Sequence, residues 1–160
     1  MKYATFVVAA SALADAAASA ATEVTAITQG TAQSERVGNK ISIHKIELRG
    51  ATFENTNGID VGVYLAKSTS APVIADYTPA GYPGSFIKTE KFVPLLYQLT
   101  DSVQNVNTWI SKRFWRPIIV QYNGATGTSG IRNRIYAQIK NDTGSAINAE
   151  YVIKVWFTDG

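Results

Sequence analysis

The chain reads as an all-β protein, an antiparallel sandwich, and three observations predict it. Short apolar runs alternate with polar residues at the two-residue period of a strand. Gly, Thr, Ser and Asn punctuate the sequence at turn-length intervals, and β-branched residues fill the gaps between them. Segments with helical spacing are few. The 160 residues suit a single domain with a real core.

The elements follow in order. Residues 1–26 are Ala-rich and are expected to form an N-terminal arm lying along a neighbouring surface, ahead of a domain spanning 27–160. Met1-Lys2, the run Phe6-Val7-Val8-Ala9-Ala10 and the ending Ala18-Ser19-Ala20 also have the layout of a secretory signal, although Asp15 interrupts the apolar stretch. The signal reading is kept as the alternative. No stretch reaches the ~18 apolar residues of a transmembrane helix.

Asn39 to Phe53 is the first strong strand. Its apolar phase slips from Ile41 and Ile43 to Ile46 and Leu48, which predicts a bulge near His44-Lys45 or a strand covered on both sides. Ile59 to Ala66 places Ile59, Val61, Val63 and Leu65 on one face. Ser68 to Gly84, with Pro72, Pro79 and Pro83, reads as a long surface loop. Phe86 to Leu99 is β-type but interrupted by Pro94, which suits an edge or bent strand. In Thr100 to Ile110, Asp101 could cap a short helix carrying Val103, Val106 and Ile110. Phe114 to Tyr122 reads as a strand, and Asn123 to Gly130 as a glycine-rich loop. Two alternating runs, Ile131 to Lys140 and Ile147 to Phe157, flank the turn Asn141-Asp142-Thr143-Gly144-Ser145 and predict a β-hairpin. Seven or eight strands point to a sandwich, a jelly roll or a barrel.

Composition bounds the function. Charged residues make up 17% against 46% hydrophobic, below the usual charged share of about 25%, which suggests surface buried between subunits. The net charge of +3 and pI near 9.1 permit a nucleic-acid partner. There is no cysteine, so disulfides, thiolate metal sites and cysteine nucleophiles are excluded. With one histidine, His44, there is no His-rich metal motif, and no Gly-x-Ser-x-Gly elbow supports a hydrolase. The expectation is a non-enzymatic protein without a cofactor.

The segment Ile27-Thr28-Gln29-Gly30 through Arg36-Val37-Gly38-Asn39-Lys40 resembles the start of the jelly roll in capsid proteins of small circular, Rep-encoding single-stranded DNA viruses. The Gln29-Gly30 pair, the Arg-x-Gly-x-Lys turn into the first long strand, and the aromatic-then-acidic ending Trp156-Phe157-Thr158-Asp159 carry the resemblance. It implies a single jelly roll of about eight strands that assembles into a closed shell, sixty subunits around single-stranded DNA. It further implies residence in the virion, assembly inside the host cell in the nucleus, and a host receptor that the motifs do not identify. It implies no membrane insertion. Such capsids usually begin with an arginine-rich arm, whereas here the first segment carries only Lys2.

Two sets of basic residues are candidates for holding nucleic acid. Between Ser102 and Asn141 there is no Asp or Glu, while Lys112, Arg113, Arg116, Arg132, Arg134 and Lys140 all fall there. Arg132, Arg134 and Lys140 share a predicted strand face with Tyr136, a combination able to hold phosphates and stack a base; a solvated outer face or contacts to an adjacent subunit would use the same residues. Lys40, Lys45 and Arg49 form a sparser set with Glu47 among them. Gly38 and Asn39 permit the tight turn, and Arg36 is placed to anchor it on a neighbouring chain. Trp109, Phe114, Trp115, Trp156 and Phe157 read as core or interface anchors. Two rival classes share these features: a secreted β-sandwich binding module of lectin or adhesin type, and a filament subunit whose N-terminal segment completes a neighbour's sheet.

Overall fold

The computed structural model describes residues 1–52, 59–78, 86–100, 107–124, 128–141 and 144–160. Its strands are β1 (Lys2–Leu13), β2 (Ala17–Ala18), β3 (Thr22–Glu23), β4 (Lys40–Thr52), β5 (Ile59–Ala66), β6 (Tyr77–Thr78), β7 (Phe86–Ile87), β8 (Phe92–Thr100), β9 (Asn107–Tyr122), β10 (Gly130–Arg132), β11 (Ile135–Asn141) and β12 (Ile147–Asp159). A 3-10 turn, Ile74–Asp76, precedes β6.

One sheet runs in the order β1-β12-β4-β9-β10 and the other β2-β11-β5-β8, with β3 continuing β2 along the same edge of β11. Every pairing in both is antiparallel. With β2 and β3 taken as one interrupted strand, the first strand pairs with the last and the chain crosses between sheets at most steps, β5 to β8 and β9 to β10 being the steps that stay in one sheet. That is a jelly roll. Ile41, Ile43, Ile46 and Leu48 of β4, Tyr151 to Phe157 at alternate positions of β12, and Val61, Val63, Ile135, Ala137 and Ile139 of the facing sheet fill one buried core. The period-2 pattern decides which side of each strand enters it.

The bulge predicted near His44-Lys45 is present. β4 steps from Ile43 to Lys45 in its pairing with both neighbours, so His44 is skipped. Opposite it, β9 steps from Arg113 to Ile118, leaving Phe114 to Pro117 outside the ladder. Gly38 adopts φ +85 at the entry to β4, as the predicted turn requires.

Four expectations are corrected. Residues 1–26 are not an arm reaching outside the sandwich. β1 pairs along β12 from Lys2↔Phe157 to Leu13↔Ile147, and Ala4, Val8 and Ala10 enter the core. Small side chains are what lets this edge strand pack closely. The run 131–140 is not one strand: Asn133 takes φ 58, and the chain crosses there from β10 in one sheet to β11 in the other. β11 and β12 consequently form no hairpin with each other. Each carries an apolar face, and both faces are buried when the two strands lie in opposing sheets. Residues 107–110, placed in a possible helix, are strand. The rest of that segment, with Asp101, Val103 and Val106, lies outside the described residues, as do Phe53, Pro79, Pro83, and Asp142-Thr143 of the predicted turn.

The loop from Ser68 has an unexpected job. The 3-10 turn and the β6–β7 pair cover the outer face of the second sheet, where Tyr77, Ile87 and Phe92 close over Tyr64, Ala66 and Tyr136 in a second apolar cluster. β5 and β11 of that sheet are buried on both sides, while Val93 and Tyr97 of β8 stay exposed; the outer face of the first sheet is open.

Candidate nucleic-acid interface

The open face of the first sheet is built by alternation. Opposite each inward apolar residue of β4 stands an outward one: Ser42, Lys45, Glu47 and Arg49. Directly across on β9 are Arg113 beside Lys45, Ser111 beside Glu47 and Trp109 beside Arg49. On the other flank, β12 sets Trp156 beside Lys45, Lys154 beside Glu47 and Val152 beside Arg49. β1 completes the face with Tyr3 beside Trp156 and Thr5 beside Lys154. Four cations therefore share one surface with Glu47 and, toward the far end of β12, Glu150.

The cations and aromatic rings are in contact. The Arg49 guanidinium lies 4.3 Å from the centroid of Trp109, an indole that is 68% exposed. Lys154 Nζ lies 3.8 Å from the centroid of Tyr3 and 4.4 Å from that of Trp156, whose rings are 5.3 Å apart. Such pairs hold a cation over a π-face at little cost in desolvation. Between the two groups is a shallow cavity of about 290 Å³ lined by Thr5, Glu47, Arg49, Val152 and Lys154.

Glu47 organises this surface. Its carboxylate accepts from Lys45 Nζ at 2.9 Å and from Trp156 Nε1 at 3.2 Å. The Lys45 hydrogen bond holds the Glu47 carboxyl below its ordinary range, with the Trp156 N–H helping and burial opposing. The carboxylate thereby fixes the Trp156 ring and occupies Lys45, leaving Arg49 and Lys154 to face the cavity.

The residues singled out from sequence fare unequally. Lys45 and Arg49 fall on this face together with Arg113. Lys40 is exposed at the start of β4, Lys112 is exposed at the β9 edge, and Arg116 is exposed beside Trp115 in the excursion opposite His44. Trp115 itself is 98% exposed and is no core residue. Of the five candidate anchors, Phe157 is in the core and Phe114 packs against it.

The proposed face of Arg132, Arg134, Tyr136 and Lys140 does not form, because the crossing at Asn133 separates its members. Arg132 is exposed on β10. Arg134 donates to the carbonyls of Gly130 and, at 3.1 Å, Thr69, and reaches the Tyr136 hydroxyl at 3.4 Å. Lys140 is buried under Tyr77 and makes a 2.9 Å ion pair with Asp60, both side chains being 1% exposed. Alternation placed Lys140 on the outer side of its strand correctly, but that side is roofed over.

Arg36 also turns inward instead of toward a neighbouring chain. Fully buried, its guanidinium stacks 4.0 Å from the Tyr122 centroid and donates to the carbonyls of Ile27 at 3.1 Å, Gly38, and Gly124 at 3.4 Å. Gln29 and Arg36 bridge, with Gly30 N–H donating to the Arg36 carbonyl at 3.0 Å. The Glu35 carboxylate packs where a Cβ on Gly30 would stand. The motif is an internal clasp. His44 Nε2 is 2.9 Å from Thr158 Oγ1, and no cluster of three or more metal-ligating side chains occurs among the described residues.

Lys154, Trp156 and Tyr3 were not assigned to a basic surface from sequence. The signal was present in β12, where Lys154 and Trp156 occupy consecutive outward positions opposite Ile153, Val155 and Phe157. What sequence lacked was the pairing of β1 and β4 on either side of them. No protein-family model matches the chain, and a search of curated proteins finds no match.

Proposed function

We propose that this protein is a capsid subunit that assembles through lateral contacts into a closed shell around single-stranded nucleic acid, DNA on the resemblance of its N-terminal motif. The observation that carries the reading is the open outer face of the β1-β12-β4-β9 sheet, where cations lie on the exposed Trp109 ring and the half-buried Tyr3 and Trp156 rings, while β5 and β11 of the opposite sheet are roofed. A jelly roll with one such face has a side for cargo and a side turned away from it. The low charge content and the exposed Trp115, Ile119 and Tyr97 suit subunit contacts, and a closed shell needs repeated contacts of this heterologous kind. Virion residence follows from the same reading, with the host receptor left unnamed.

Light scattering and negative-stain microscopy of purified protein test it. Uniform closed particles are expected, many times the 17.3 kDa of one chain, with a 260/280 nm absorbance ratio above that of protein alone. A species of one chain mass at every salt concentration and pH would end the reading. Open fibres would favour the filament alternative. A mature chain lacking residues 1–20 would favour the secreted binding module, and would also have lost β1.

A further inference from the structure

We infer that the cavity between Arg49 and Lys154 is a seat for one phosphodiester of a single-stranded polynucleotide, with the bases on either side stacking on Trp109 and on the Tyr3–Trp156 pair. The inference rests on the capsid reading for its biological cargo, but its chemistry stands on this face alone.

Four observations converge. Arg49 and Lys154 line one cavity of about 290 Å³. Each touches an aromatic ring at its own edge of that cavity, Trp109 on one side and Tyr3 with Trp156 on the other. Glu47 occupies Lys45 and fixes the Trp156 indole through Nε1, so this ring is oriented before any ligand arrives. The lining combines two cations with Thr5 and Val152, and its one carboxylate is already bonded on both sides.

The arrangement selects by strand state. A backbone phosphate between two cations can be flanked by bases on the two aromatic groups only if those bases are unpaired and unstacked. A duplex keeps its bases inside and offers this surface phosphates alone. Neither aromatic group presents a base-edge code, so recognition is tolerant of sequence.

Quenching of intrinsic tryptophan fluorescence on titration with a twenty-nucleotide oligothymidylate, across a salt series, reads the seat directly. Oligouridylate and a twenty-base-pair duplex are run in parallel. Single strands of either sugar should quench, and the duplex should bind at least tenfold more weakly. The double variant Arg49→Gln/Lys154→Gln should lower the slope of log affinity against log salt by about 0.7, the value for one phosphate on a single strand. Trp109→Ala should weaken binding by roughly tenfold at every salt concentration and leave that slope unchanged, the signature of lost stacking. Lys67→Gln, an exposed cation just past the end of β5 in the other sheet, should change neither.

Equal binding of duplex and single strand would overturn the seat, as would an unchanged slope in the double variant or an equal loss in Lys67→Gln. Light scattering of the same samples separates the two readings. Shells that form normally while the double variant and Trp109→Ala bind like the parent remove the seat and keep the capsid. Binding with the expected signatures by a chain that never assembles keeps the seat and removes the capsid.

Discussion

Lys140 and Arg36 are the two buried cations among the described residues. The Lys140–Asp60 pair is enclosed on the outer side of β11 and β5 beneath Tyr77, and a buried pair broken on one side leaves an uncompensated charge. Lys140→Met is therefore expected to destabilise the protein by about 3–5 kcal/mol, read as a lower urea midpoint, and adding Asp60→Asn should recover part of the loss. A Cβ added at Gly38 meets no atom within 4 Å, so the main penalty expected for Gly38→Val is backbone conformation at φ +85, about 1–2 kcal/mol. A thermal melt would show it, and an unchanged midpoint would mean the turn tolerates another conformation. At this scale the sequence was legible where a residue's role depends on its own backbone, as at Gly38 and the His44 bulge. It was not legible at Lys140 or Arg36, because burial there is imposed by segments dozens of residues away.

Strand positions were mostly readable from alternation, and strand partners were not. β4, β5 and β12 lie close to where their apolar periods put them. A short turn separates β11 from β12 and suggests a hairpin, but this jelly roll sends the two to opposing sheets while keeping β5 and β8 in one, and periodicity is blind to that choice. β1 was misread for a related reason: an Ala-rich run has weak strand propensity, and it becomes a strand by pairing with β12. Removing residues 1–13 is expected to cost several kcal/mol, since burying Val8 alone contributes about 1.5–3 kcal/mol and the edge of β12 would be left bare. Circular dichroism and the soluble yield of the truncated chain check this; a native-like melt would show that β1 is dispensable.

For the whole molecule, three carboxylates tie distant segments and set the response to acid. Asp159 accepts from the Val37 N–H at 2.7 Å and pairs with Lys2 at 2.9 Å, joining the ends of β1 and β12 to the clasp before β4. Burial alone would raise its pKa, but the Val37 N–H and Lys2 outweigh it and hold it below the ordinary 3.8. Asp76 behaves likewise: burial opposes, and Lys91 with the Val73 N–H prevail. Glu47 is lowered first by Lys45. A carboxyl whose folded pKa is depressed adds stability that is complete above its ordinary pKa and fades as pH falls through the folded value. The protein should therefore hold its stability down to about pH 5 and lose it progressively below about pH 4, with Asp159→Asn flattening part of that decline in urea titrations at stepped pH. A decline just as steep in the variant would assign the acid sensitivity to other groups.

The pairing of the first strand with the last also dictates a timetable. Among the described residues β12 is the ladder partner of β1, so on the ribosome β1 must wait for a strand made much later. At ~5–20 residues per second that delay is roughly ten to thirty seconds, during which Phe6, Val7 and Val8 travel without their neighbour. Closure of the first sheet is thus a step of high contact order, and it is slow by construction. Chains released early, lacking β12, would display both an unpaired β1 and the bare edge of β4. Such fragments are the species a cell must clear before they pair with one another.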